Sequence, residues 1–299
     1  MILFRLFFIG ILIGCADLVP GVSGGTIVFV TGLYERVLTV ISRFNWQLVK
    51  FIRQEGWRRT AEYIDIKFIL ILASGIAVSF VLFSKLILYM YSNYLLLLNS
   101  FFFGLVFASV ILISKQYRCF SVKQLPLILF GSCCTGLLSL QTGFNIEYGI
   151  FYVFLVGALG ICATILPGVS GSFILLIFGL YKDTLRALTE FDLLYLCVLA
   201  AGAITSLILF SRLLLNLIKT KAFYIYPVLL GFLLGSLVKL WPWTAAAKSG
   251  SGFWFSALNF YSPLTYSKYT ALDSYLYLAV LCFTCGSGVM FLFNKYLVK

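Results

Sequence analysis

One short motif of small and hydroxyl-bearing residues occurs twice in the chain. CADLVPGVSGGTIVFVTGLYERVL covers residues 15–38, the first signature, and CATILPGVSGSFILLIFGLYKDTL covers residues 162–185, the second signature; 12 of the 24 aligned positions are identical. Pro and Gly interrupt a helix, and the helix that begins after them offers backbone N–H groups to an anion. Glycines let a ligand approach the backbone closely, and hydroxyl groups add hydrogen-bond donors. The motif therefore predicts an anion site, with phosphate as its natural occupant.

We predict that the two signatures hold one phosphate between them. The predicted phosphate-binding residues are Gly21, Ser23, Gly24, Gly25, Thr26, Gly168, Ser170, Gly171 and Ser172. Pro20 and Pro167 are predicted to form the turns of two helical hairpins. In the alternative interpretation, the small residues only allow helices to pack closely. The presence of two copies at corresponding positions favours the binding site.

A few ionisable residues lie within or beside the apolar sequence. Asp17 precedes Pro20 by three residues and aligns with Thr164. A carboxyl group at membrane depth is costly, and such residues usually have a function. We predict that Asp17 couples transport to H⁺ or Na⁺; the alternative is a helix cap. Besides this possible coupling ion, no cofactor and no metal are expected.

Charged residues also follow the GLY tripeptide of each signature. Glu35 and Arg36 in the first copy and Asp183 in the second are predicted gating residues, or else solvated hairpin ends. Lys85 and Arg212 align within SKL and SRL, and we predict that they attract a phosphate headgroup. The alternative for this pair is that the long side chains extend to the membrane interface.

The composition predicts an integral membrane protein of all-α class. The chain has 299 residues, of which 62% are hydrophobic and 11% charged. Apolar runs of about 20 residues are long enough to cross a bilayer as helices. The net charge of +12 favours basic cytoplasmic loops and anionic lipid over nucleic acid as partner. Histidine is absent from the sequence, which removes the commonest general base near neutral pH.

The elements that position the signatures form two predicted repeats. Broken backbone at membrane depth needs cover from protein or a water-filled cavity, so each signature predicts a re-entrant hairpin followed by three spans. The first repeat is 1–145, with hairpin 2–41, interfacial helix 45–66 and spans within 67–141; the second is 146–299, with hairpin 149–185, spans within 193–294 and an outer aromatic loop at 241–273. Since three is odd, the second repeat must be inverted relative to the first, as in many transporters. The distribution of basic residues predicts that both termini are cytoplasmic.

The signatures resemble those of a known bacterial membrane family. GCADLVPGVSGGTIVFVTGLYE and ATILPGVSGSFILLIFGLY are similar to the paired motifs of the domain of unknown function 368, a family associated with undecaprenyl-phosphate translocation (PopT-type). The resemblance implies a carrier that returns undecaprenyl phosphate from the outer to the inner leaflet of the bacterial cytoplasmic membrane. Cell-wall and surface-polysaccharide synthesis reuse this lipid. The positions to which the resemblance assigns a role are Asp17, Pro20, Gly21, Ser23, Gly24, Gly25, Thr26, Glu35, Pro167, Gly168, Ser170, Gly171 and Ser172.

Two other functions fit parts of the sequence. Undecaprenyl-pyrophosphate phosphatases also have inverted re-entrant hairpins, but their motif places an arginine after the serine. Here Gly24 and Gly171 take that position, so the motif lacks the cation that phosphoryl transfer needs. We therefore expect no enzymatic activity. The second alternative is a secondary transporter of a small soluble anion.

Overall fold

The structure is almost entirely helical. The computed structural model describes residues 2–19, 22–119, 121–141, 148–246, 258–270 and 272–295. The helices within these ranges are α1 Ile2–Asp17, α2 Gly24–Val30, α3 Tyr34–Ser42, α4 Trp46–Tyr63, α5 Ile66–Asn93, α6 Leu95–Gln116, α7 Leu125–Ser139, α8 Ile150–Ile165, α9 Gly171–Ile177, α10 Tyr181–Glu190, α11 Leu193–Ser236, α12 Pro263–Thr270 and α13 Leu276–Phe293. A 3₁₀ turn at Val122–Gln124 leads into α7. The all-α class is confirmed.

Five helices are long and apolar enough to cross a membrane, or up to six if one bent helix pair counts as a span. Six full spans were predicted, and the difference lies in α11, which covers two of them in one helix of 44 residues. At 1.5 Å per residue such a helix measures about 66 Å, roughly twice the hydrocarbon thickness of a bilayer. Non-helical backbone at Lys221 (φ −134°, ψ 37°) interrupts it, and Pro227 follows within the helix.

Each predicted hairpin contains three helices, where two arms were expected. In the first signature, α2 and α3 meet at an angle of 113°. Gly32 lies at this bend with φ +72°, a conformation that favours glycine. Its aligned residue, Gly179, has φ +76° between α9 and α10. The GLY tripeptide of each signature is therefore a turn, and α10 extends beyond the predicted hairpin end at residue 185.

The chain divides into two compact units. The first unit contains Met1–Ser84 and Gly143–Ile225, and the second contains Lys85–Thr142 and Tyr226–Lys299. Each unit takes segments from both predicted repeats, so the division in space differs from the division in sequence. Both signatures lie in the first unit. The inverted orientation of the repeats remains a prediction.

In the first unit, two helix pairs meet backbone to backbone at aligned positions. A Cβ atom on Gly75 of α5 would lie 2.2 Å from the carbonyl oxygen of Phe7 in α1. A Cβ atom on Gly202 of α11 would lie 2.0 Å from the carbonyl oxygen of Phe154 in α8. Small residues allow this close approach of helices in membranes. The pair α1–α5 therefore repeats, residue for residue, the packing of the pair α8–α11.

The second unit has its own backbone contacts. A Cβ atom on Gly104 of α6 would lie 2.2 Å from the carbonyl oxygen of Phe283 in α13, and one on Gly286 would lie 2.0 Å from that of Phe101. Ser287 adds a hydrogen bond from its hydroxyl group to the Gly104 carbonyl, 2.9 Å long. The helices α6 and α13 are thus joined reciprocally along their glycine faces.

The predicted outer aromatic loop has local order on both sides of residues 247–257, which lie outside the described ranges. The strands β1 (Thr244–Ala246) and β2 (Leu258–Phe260) pair antiparallel, and α12 follows. The indole N–H groups of Trp241 and Trp243 donate to the carbonyl groups of Tyr261 and Ser274, each at 3.0 Å. These bonds satisfy the indole donors, as buried tryptophan requires.

Candidate functional site

The two signatures are hydrogen-bonded to each other within the first unit. The Ser23 hydroxyl group donates to the Thr164 carbonyl (3.4 Å), and the Gly168 N–H donates to the Thr26 hydroxyl oxygen (3.2 Å). The Tyr34 hydroxyl group donates to the carbonyl of Ile165 (3.2 Å). The structure therefore brings together residues that are about 140 positions apart in the sequence.

Two side chains of the first signature cap the start of α2. The backbone of Ser23 is extended, and its Oγ accepts a hydrogen bond from the N–H of Gly25 (3.2 Å). The Asp17 carboxylate accepts one from the N–H of Gly24 (2.7 Å). Both bonds satisfy N–H groups that a helix start leaves without partners. The carboxylate of Asp17 thus occupies a position where the sequence predicted phosphate binding, and its side chain is also exposed.

The other predicted hydroxyl groups of the first signature are enclosed by protein. Ser23 is 2% exposed and Thr26 is 1% exposed. Gly25 lies beside the opposite signature so closely that a Cβ atom would come within 2.9 Å of the Thr164 carbonyl oxygen. In this structure these residues connect the signatures. Pro20 and Gly21, which precede them, lie outside the described residues.

The second signature is more open. The hydroxyl groups of Ser170 and Ser172 lie 2.8 Å apart, Ser172 is exposed, and the Ser170 side chain does not cap α9. Gly168 has φ +86° in the turn after Pro167. In place of Asp17 stands Thr164, whose hydroxyl group donates to the Gly160 carbonyl (3.0 Å). The two signatures therefore differ in the polar groups that they leave accessible.

A cavity of about 230 Å³ lies in the first unit and is lined by both signatures. Its polar lining includes Asp17, Tyr34 and Thr164, together with backbone of Gly24 and Gly25. The remaining lining is aliphatic, from Ile13, Val28, Val37, Leu38, Ile41, Leu72, Ile76, Ile161, Ile165 and Leu207. Sites for drug-sized ligands usually measure about 300–1,000 Å³. This cavity suits a small polar group with an apolar attachment better than a whole lipid molecule.

The predicted gating and headgroup-attracting residues are not part of the described lining of this cavity. Arg36 forms an ion pair with Asp65 (2.6 Å), and its guanidinium lies 4.3 Å from the centre of the Phe68 ring. Asp183 accepts a hydrogen bond from the Tyr148 hydroxyl group. Glu35 is exposed on α3. None of the three predicted gating residues is part of the described lining.

Lys85 and Arg212 occupy different surroundings despite their aligned positions. The Arg212 Nε donates to the carbonyl of Ser42 at the end of α3 (3.3 Å). Lys85 is exposed on α5. Arg212 therefore makes a contact expected of a cation at a helix C-terminus, where the carbonyl groups are free.

Tyr34 and Thr164 are site residues that the sequence prediction did not select. Tyr34 is buried and lines the cavity, and its ring contacts that of Phe29 with 5.0 Å between centroids. A signal was present, because Tyr34 aligns with Tyr181 and is one of the identical positions of the two signatures. Thr164 could have been selected as the residue aligned with Asp17.

The chain is similar to proteins of one known family. A family model described as VCA0040-like, undecaprenyl phosphate translocase-like, matches residues 13–252. A polyprenyl-phosphate transporter of Vibrio cholerae serotype O1 (strain ATCC 39315 / El Tor Inaba N16961) is 36% identical over 234 residues, covering 78% of this chain and 76% of the relative. A polyprenyl-phosphate transporter of Staphylococcus aureus (strain NCTC 8325 / PS 47) is 27% identical over 289 residues, covering 88% and 95% respectively. No solved structure matches the chain.

These relatives are transporters, which agrees with the absence of the phosphatase arginine from both signatures. The family match includes both signatures and the cavity that they line. The resemblance seen in the paired motifs is confirmed, and with it the expectation of a non-enzymatic membrane protein. The chain is a multi-pass membrane protein and belongs to the undecaprenyl phosphate translocase-like family.

Proposed function

We propose that this protein moves undecaprenyl phosphate from the outer to the inner leaflet of the bacterial cytoplasmic membrane, where the lipid is reused. Both termini would lie in the cytoplasm. The observation that carries the proposal is the cavity at the junction of the two hydrogen-bonded signatures. Family membership and relatives named polyprenyl-phosphate transporters support the class of substrate.

The size and lining of the cavity suggest how the lipid is divided between protein and bilayer. The phosphate headgroup enters the cavity beside Gly24, Gly25 and Thr164, while the long apolar tail stays among the lipid chains. Ser170 and Ser172 lie outside the described lining, but their hydroxyl groups are more accessible than those of Ser23 and Thr26. We therefore assign to this pair the first contact with the headgroup.

The electrostatics of the cavity favour coupling to a cation. Its described lining contains the carboxyl group of Asp17 and neither lysine nor arginine. A phosphate beside an ionised carboxylate is unfavourable, because two like charges in one site repel each other. Uptake of H⁺ by Asp17, or of Na⁺ beside it, removes this repulsion. The carboxylate would thus release the Gly24 N–H to the phosphate when it takes up the cation.

The test uses the purified full-length protein in proteoliposomes. A membrane-impermeant phosphatase outside the vesicles reports the fraction of polyprenyl phosphate that remains exposed, and a labelled phosphatidylglycerol is followed in parallel. We expect protection of the polyprenyl phosphate alone and slower protection with S170A/S172A. The matched control is S109A/S236A, which removes two buried hydroxyl groups that bond only within their own helices.

Each other outcome contradicts the proposal in a different way. Movement of both lipids identifies a scramblase without headgroup selectivity. Movement of neither lipid, combined with uptake of inorganic phosphate, identifies a transporter of a small soluble anion. If S170A/S172A and S109A/S236A change the rate of protection equally, the hydroxyl groups of Ser170 and Ser172 have no specific role in transport.

A further inference from the structure

Helix α4 (Trp46–Tyr63) has a well-defined start and an internal break. The side chain of Asn45 accepts a hydrogen bond from the N–H of Leu48 (3.1 Å) and thereby caps the helix. Gly56 has φ +77° and divides α4 into two segments. The hydroxyl group of Thr60, which is fully buried, donates to the Gly56 carbonyl (2.9 Å) and fixes the second segment at the break.

The first segment presents a face that combines apolar and basic side chains. Trp46, Val49, Lys50 and Arg53 lie on one side of the helix, because residues spaced by three, four and seven positions share a face. All four are exposed, Trp46 to 85%. No acidic residue occupies these four positions. On the other side, Phe51 stacks on Tyr63 with 4.9 Å between ring centroids.

The second segment also presents an exposed tryptophan beside basic residues. Trp57 is 68% exposed and lines a groove of about 490 Å³ together with Arg58, Lys67 and the acidic residues Glu62 and Asp65. The Asp65 carboxylate is already paired with Arg36. The groove therefore offers two cations, an exposed indole ring and one carboxylate outside that ion pair.

Two contacts hold α4 against α3. The Arg43 side chain donates to the Tyr63 carbonyl, and its guanidinium lies 5.0 Å from the centre of the Tyr63 ring. Arg36 reaches Asp65 just beyond the end of α4. Arg43 thus provides a donor for the Tyr63 carbonyl, and Arg36 neutralises the Asp65 carboxylate. The basic residues on the exposed face of α4 are therefore not needed to attach this helix.

We propose that α4 is a binding surface for anionic phospholipid headgroups in the leaflet that it faces. An exposed tryptophan places its ring at the boundary of headgroups and acyl chains, and Lys and Arg extend past it to the lipid phosphates. A water-exposed helix would gain nothing from an 85% exposed indole ring beside two cations. This inference concerns bulk membrane lipid and does not depend on the transport of undecaprenyl phosphate.

The experiment measures lipid selectivity of the full-length protein in phosphatidylcholine vesicles. Spin-labelled phosphatidylglycerol and spin-labelled phosphatidylcholine are compared by the motionally restricted fraction of their electron paramagnetic resonance spectra. One basic residue near an anionic surface strengthens association about fivefold. We therefore expect K50Q/R53Q to lower the selectivity for phosphatidylglycerol severalfold. The matched control K115Q/K123Q removes two exposed cations elsewhere.

A second readout tests the depth of Trp46. Phosphatidylcholine brominated near the glycerol end of its acyl chains quenches tryptophan at the interface, and the W46F variant identifies the contribution of this residue. Loss of a quenched component in W46F, together with reduced selectivity in K50Q/R53Q alone, supports the proposal. Equal selectivity in wild type and K50Q/R53Q overturns it, as does an equal loss in the K115Q/K123Q control. Quenching that is unchanged in W46F also overturns it.

Discussion

Asp17 accepts a hydrogen bond from the backbone N–H of Gly24 at 2.7 Å and lines the cavity between the two signatures. The same carboxyl group therefore caps α2 and faces the proposed headgroup position. The two roles compete, because an oxygen atom that binds a cation or a proton is a poorer acceptor for Gly24. Variants of Asp17 can therefore change the stability of the protein and its transport rate independently.

Replacement of Asp17 by Asn should preserve the fold and abolish coupled transport. The amide oxygen can still accept from Gly24, whereas D17A leaves this N–H without its partner at a cost of about 1–3 kcal/mol. We expect D17N to unfold near the wild-type temperature and D17A to unfold earlier. The measurement is polyprenyl-phosphate protection in proteoliposomes under an imposed pH gradient, with thermal unfolding in parallel. Wild-type transport by D17N would refute the coupling role.

The buried hydroxyl groups of the first signature should matter for stability. S23A/T26V removes the bonds from Ser23 to the Thr164 carbonyl and from the Gly168 N–H to Thr26. Each such bond contributes about 0.5–1.5 kcal/mol, and a buried group that loses its partner costs more. We expect a lower unfolding temperature, followed with a dye that labels cysteines as they become exposed. S170A/S172A, which alters an accessible pair, serves as the comparison and should unfold like wild type.

Tyr34 should act as a positioning residue for the second signature. Y34F removes the hydrogen bond to the Ile165 carbonyl and keeps the ring contact with Phe29. The loss of about 0.5–1.5 kcal/mol should be accompanied by slower transport, because the end of α8 loses one of its hydrogen bonds to the first signature. The control is Y181F at the aligned position, where the described residues show no bond between signatures. If both variants transport equally, Tyr34 has no special role.

Two glycines on one turn of α13 should respond oppositely to alanine. A Cβ atom on Gly286 would lie 2.0 Å from the backbone carbonyl oxygen of Phe101, and nothing lies within 4 Å of one on Gly288. Overpacking of this kind costs about 1–3 kcal/mol. Alanine at an open helical position instead stabilises by up to about 1 kcal/mol. Thermal unfolding of G286A and G288A in the same detergent measures the contrast, which would be absent if α6 and α13 were not in contact.

The interruption of the helices in each signature could be predicted from the sequence, because it depends on local backbone chemistry. Pro and Gly in each signature predicted an interruption between helices, and the structure has one in both copies. The bends at Gly32 and Gly179 were not predicted, although both glycines belong to the identical GLY tripeptide. The break at Lys221 lies between two of the predicted spans, where Lys219 and Lys221 separate two apolar runs of the sequence.

Tertiary partners account for the remaining differences. Arg36 was a predicted gating residue, and its partner Asp65 lies 29 residues away, just beyond the end of α4. Nothing in the local sequence indicates this ion pair. Likewise, the hydroxyl groups of Ser23 and Thr26 look available in sequence, but the backbone of the second signature encloses them. Hydrophobic periodicity predicts where helices form, but it does not predict which groups the polar side chains contact.

The reciprocal contacts of α6 with α13 have a consequence for biosynthesis. Gly104 lies about a third of the way along the chain, and Phe283, against which it packs, belongs to the last described helix. During translation, α6 is made long before α13, and its glycine face lacks this partner until then. The segments of the first unit have all been made by residue 225, whereas the second unit is incomplete until α13 has been made. A ribosome that stalls before α13 therefore leaves a half-assembled protein with an open helix face, which membrane quality control can recognise.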